Sequence, residues 1–154
     1  MIAPAAGKRL NMALLAAAIV LVLSVWFAGT VAVPGLIAQG MITPGHAAWL
    51  TACVQLGFVL GTLISALLSL ADRIEPRRLF LTCALLAAAA TLAQTQVAPA
   101  GAAALALRVV AGAAMAGVYP VGMKLAASWA KGDLGLLIGL VVGALTLGSA
   151  LPHL

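Results

Sequence analysis

The sequence predicts an all-α fold: a polytopic membrane helix bundle of about five spans, forming one transmembrane domain over residues 1–154. Two observations carry that prediction. Of the 154 residues, 65% are hydrophobic and only 7% are charged, whereas soluble domains hold about 25% charged residues. The few charges are also grouped, so that long uncharged stretches alternate with short connections holding nearly all of them. A bilayer core takes about 20 apolar residues per helix, so this length accommodates about five spans.

The first span is read over residues 10–37. From Ala13 to Phe27 every residue but Ser24 is apolar, which excludes the alternating polarity of a barrel strand. Lys8-Arg9 and the small pair Ala28-Gly29 imitate a cleaved signal peptide. However, the apolar run from Met12 exceeds an h-region of about 7–15 residues and continues through Val31-Ala32-Val33, which favours a retained span. Gln39-Gly40 through Pro44-Gly45 breaks the pattern, and a second span follows over 47–71. A charged segment, Asp72-Arg73-Ile74-Glu75-Pro76-Arg77-Arg78, separates it from a third span over 79–93. Gln94 through Pro99-Ala100-Gly101 precedes a fourth over 101–123, and the fifth runs over 134–151.

Charge placement orients these spans, because Lys and Arg in short connections are retained on the cytoplasmic side. Lys8 and Arg9 precede the first span, Arg73, Arg77 and Arg78 follow the second, and Lys124 and Lys131 follow the fourth. The alternate connections, residues 38–46 and 94–100, carry no Lys, Arg, Asp or Glu. The N-terminus is therefore expected in the cytoplasm, with the protein in a bacterial inner (plasma) membrane and the lipid bilayer as its first partner. The net charge of +5 is a topology signal and no sign of nucleic-acid binding, which needs a basic stripe on a soluble surface.

The same inventory excludes several chemistries. Asp72, Glu75 and Asp133 are the only acids, and all lie in cytoplasmic connections. No Ser-His or Cys-His pair recurs at helical spacing within a span, so no enzymatic role is expected. No glycine cluster ends in the Lys-Ser or Lys-Thr of a phosphate loop. His46 and His153 lack a second ligand, so no metal and no other cofactor is expected. Cys53 and Cys83 read as small apolar residues within spans.

One ionisable residue lies within a span: Arg108, about seven residues from the outer end of the fourth. An arginine there costs at least about 2.5 kcal/mol at mid-membrane, so it points to a cavity or to the bundle interior. The alternative is a side chain that snorkels over about 10 Å to the interface. Small residues follow at helical spacing, with Gly112 one turn on. In the fifth span Gly135, Gly139 and Gly143 recur every four residues, a packing pattern that lets a second helix approach closely.

The charged segment, the arginine of the fourth span and the glycines of the fifth together resemble the major facilitator superfamily of secondary transporters. That family's first cytoplasmic connection looks like Gly-x-x-x-Asp-Arg-x-Gly-Arg-Arg. Here Asp72, Arg73 and the Arg77-Arg78 pair supply the charges, Leu68 and Glu75 stand at the glycine positions, and Pro76 follows. The family's Arg-x-x-x-Gly pattern in the fourth helix is met by Arg108 and Gly112, with Ala111 in place of the usual glutamine. Trp26-Phe27 through Pro34, Gln55-Leu56-Gly57-Phe58 and Tyr119-Pro120-Val121-Gly122-Met123-Lys124 extend the likeness over most of the chain.

The resemblance implies transport of a small-molecule substrate by alternating access, with about twelve helices in two halves rocking about a midplane site. With about five spans the chain looks like an N-terminal fragment, inactive unless a C-terminal half or a second chain completes it. Arg108 would meet the substrate or a coupling carboxylate, with Trp26 and Pro34 shaping the opposite wall, or with Trp26 packed within the bundle or facing lipid. Asp72, Arg73, Arg77 and Arg78 would form a charged gate at the cytoplasmic helix ends. An unpaired arginine suits a small anion. Two alternatives remain: a drug or multidrug efflux transporter, disfavoured because Ala144 follows Gly143 where drug antiporters carry proline, and a self-associating membrane protein without transport activity.

Overall fold

The computed structural model describes residues 5–154; residues 1–4, which the single-domain expectation includes, lie outside the described residues. All regular structure there is helical: α1 (Ala5–Ala38), α2 (Pro44–Leu67), the single turn α3 (Leu70–Arg73), α4 (Pro76–Gln94), α5 (Ala102–Met115), α6 (Tyr119–Ser128) and α7 (Leu134–Ala150), which ends in a 3-10 turn, Leu151–His153. Five stretches are long and apolar enough to cross a membrane, with α5 and α6 together making the fourth. The chain folds as an all-α membrane helix bundle.

Several boundaries differ from the sequence reading, each for a local reason. The second span stops at Leu67 instead of reaching residue 71, because Ser69 adopts the left-handed region (φ 50°) and breaks the helix. Residues 70–73 then wind a separate turn that carries Asp72 and Arg73. Pro76 occupies the first turn of α4, where its missing N–H costs nothing and its fixed φ favours helix entry. Arg77 and Arg78 therefore lie in a helical turn, not in a loop.

The fourth span is broken. Ala116, Gly117 and Val118 donate to carbonyls three residues back, at 3.2, 3.0 and 3.0 Å, in the tighter 3-10 manner. Pro120 offers no N–H to Ala116 and its ring opposes that carbonyl, so the α-helical ladder is interrupted and restarts at Tyr119. The restarted helix runs to Ser128, beyond the expected residue 123, and places Lys124 within α6. Helix α1, in contrast, continues through Pro34.

Glycines set the helix spacing. A Cβ at Gly57 would overlap the Val109 carbonyl oxygen, one at Gly112 would overlap that of Val54, and one at Gly61 would fall 2.5 Å from that of Ala113. Thus α2 and α5 meet backbone to backbone, the contact that small residues permit in lipid. Helices α1 and α7 meet in the same way at Gly148, where a Cβ would fall 2.8 Å from the Val20 carbonyl oxygen. The main core joins Ile19 and Leu23 of α1 with Met115, Val118 and Val141, all buried. A smaller cluster of Ile42, Ala47, Leu50 and Ala104 closes the opposite end.

Candidate functional site

The two ends of the bundle differ in chemistry. At one end, Lys8 Nζ contacts both carboxylate oxygens of Asp133, at 2.6 and 2.8 Å, joining the start of α1 to the start of α7. The Lys131 backbone N–H also donates to Asp133, at 2.9 Å. That bond, reinforced by Lys8, holds the Asp133 carboxyl below its ordinary range. Lys124 Nζ reaches Asp72 at 2.5 Å and the Ala71 carbonyl at 2.6 Å, tying α6 to α3. Glu75 pairs with Arg78 at 2.9 Å across one exposed turn. Of the expected gate residues, then, Asp72 is linked to Lys124 and Arg78 to Glu75, while Arg73 and Arg77 form no ion pair among the described residues. At the other end the turns carry no charge, and His46 Nε2 lies 3.0 Å from the Pro99 carbonyl.

Arg108 sits between these ends. It is 3% exposed and is the one buried charged residue among the described residues. Its position, six residues into α5, puts it about 9 Å from the helix start. The guanidinium lies against Gly29 of α1: a Cβ there would fall 2.7 to 2.9 Å from Nη1, Nη2 and Cζ. Glycine is what makes this seat possible. Arg108 Nε has no hydrogen-bond partner among the described residues, and the three carboxylates are bound at the far end.

A cavity of about 430 Å³ runs from Arg108 and Gly29 toward the uncharged turns, within the usual range of about 300–1,000 Å³ for ligand pockets. Its walls come from α1, α2, α4 and α5 and the turns between them, and include Ala32, Leu36, Met41, Leu50, Thr91 and Gln94. They are mainly apolar. Trp26 stands one helical turn from Gly29, half-buried, with its ring 6.0 Å from Phe58 and stacked on it. Phe58 in turn adjoins Gly112, one turn from Arg108. The aromatic pair thus packs a turn toward the charged end and does not line this cavity. Pro34 is exposed and is likewise outside the lining.

Gly112 is buried against α2. Gly135, Gly139 and Gly143 are exposed, and a Cβ at any of them would meet nothing within 4 Å. They lie on an outward face of α7, where Gly139 and Gly143 border an apolar groove with Ala16 and Val20.

Four residues take parts that the expected site does not include. In the sequence Gln94 reads as a turn residue, but it closes α4 and lines the cavity. Gly29 reads in the sequence only as part of a cleavage-like pair. Gly57 and Gly61 carry the four-residue spacing that marks close helix contact, a signal present in the sequence and more telling than the stripe in α7.

Five helices long and apolar enough to cross a membrane make this a polytopic membrane protein. The family model described as Major Facilitator Superfamily matches residues 8–151. The chain belongs to that superfamily, whose members carry out membrane transport. Comparison with curated proteins and with solved structures found no match.

Proposed function

We propose that this chain contributes the substrate-binding wall of a secondary transporter for a small anion, with Arg108 as the residue that meets the solute. The burial of Arg108 at the base of the cavity carries this reading, since no side-chain carboxylate among the described residues pairs with it. A buried cation without a partner is costly, and an anion entering the cavity removes that cost. The cavity opens toward the uncharged turns, which the placement of basic residues assigns to the side opposite the cytoplasm.

Alternating access needs two bundles moving against each other, and the helices here supply one. The second would come from further chain or from another protomer. The ion pairs at the charged end, Lys124–Asp72 and Lys8–Asp133, tie helices together where a closing movement would be made and released.

The test is chemical protection. Phenylglyoxal modification of Arg108, followed by peptide mapping in lipid nanodiscs, should slow when benzoate or sulfate is present. Arg108→Gln should abolish binding of either anion. If neither anion protects, Arg108 serves packing and the reading fails.

A further inference from the structure

We propose that Gln94 is a substrate-recognition residue, acting with Arg108 to hold the carboxylate of an organic monoanion that has an apolar body. This rests on the reading of Arg108 as the solute contact and adds the second donor and the class of anion.

Two residues that each carry an enclosed, unsatisfied donor line one cavity, and a turn of either side chain brings its donor to an acceptor there. Gln94 Nε2 is buried without a hydrogen-bond partner, as is Arg108 Nε, and both residues line the same space. An unpaired buried donor is disfavoured enough to call for an acceptor. The other polar side chains are already engaged: Thr91 donates to the Ala87 carbonyl at 2.9 Å and Thr95 to that of Leu92 at 2.7 Å. Nearby His46 is held at the Pro99 carbonyl. A carboxylate offers two oxygens, one for the guanidinium and one for the amide.

Charge selects a monoanion. The lining holds one cation and no acid, so a single negative charge is balanced. A second, as on sulfate, would face apolar walls without a counter-charge. The remaining volume is bounded by Ala32, Leu36, Met41 and Leu50, surfaces that favour hydrocarbon over water.

The experiment is a calorimetric titration of the full chain in lipid nanodiscs with benzoate, its neutral analogue benzamide, and sulfate. Benzoate should bind, with benzamide and sulfate at least about tenfold weaker. Gln94→Ala should weaken benzoate about tenfold, the loss of one hydrogen bond to a charged group. Gln94→Glu keeps the side-chain length and should abolish benzoate binding, because its carboxylate competes for Arg108. Thermal melts of each variant check that the fold is retained. Sulfate binding as tight as benzoate, or benzoate affinity unchanged in both Gln94 variants, overturns the assignment. In that event anion binding lost in Arg108→Gln would still leave Arg108 as the contact. Benzoate binding unaffected by Arg108→Gln, or no binding of any probe, overturns both.

Discussion

Arg108 and Gly29 illustrate how a side chain and the absence of one make a single feature. Legible in the sequence was that Arg108 is an intramembrane charge and therefore costly. Its partner was not, because Gly29 is 79 positions away and only helix packing brings α1 under the guanidinium. A methyl group at Gly29 meets the far end of a flexible side chain and no backbone, so Gly29→Ala should change stability by less than about 1 kcal/mol. It should nevertheless shift the guanidinium and weaken benzoate binding about tenfold. Circular dichroism melts and calorimetry check the two parts, and an unchanged affinity would remove Gly29 from the site. Gln94 was hidden for a related reason: a glutamine beside a turn looks like a surface residue until α4 is placed against α1 and α5.

At the scale of helices, apolar runs specify spans well, since any stretch of about 20 such residues satisfies its own backbone only as a helix in lipid. They specify breaks poorly. The interruption at Ala116–Val118 follows from Pro120, whose effect falls a turn upstream of the residue itself. Packing is also decided pairwise. Gly112 and Gly57 face backbone on the partner helix, unlike Gly29, which faces a flexible side chain. Gly112→Val should therefore destabilise the bundle by about 1–3 kcal/mol or more, as overpacking does. Gly139→Val, on an open face, should cost less than about 0.5 kcal/mol in the isolated chain. Thermal melts in detergent compare them, and equal effects would contradict the helix arrangement.

For the whole molecule, the separation of charge is the organising fact. Pairs such as Lys8–Asp133 and Lys124–Asp72 gather at one end, uncharged turns close the other, and Arg108 lies between them. If alternating access takes two bundles, as proposed, vesicles in which this chain stays a single bundle should accumulate no benzoate above the protein-free control. Uptake in such vesicles would show that one bundle suffices or that copies assemble. By itself the sequence determined the membrane class, the number of spans, the grouping of basic residues and the membership suggested by Asp72-Arg73, Arg77-Arg78 and Arg108, because these depend on composition and order along the chain. Only the tertiary structure decided that Gly29 seats Arg108, that Gln94 shares its cavity, that Lys124 holds Asp72 and that Gly135, Gly139 and Gly143 face outward. Those are contacts between distant positions, and several ways of packing the same apolar helices would satisfy lipid equally well. The choice among them is made by which small residues let which backbones touch.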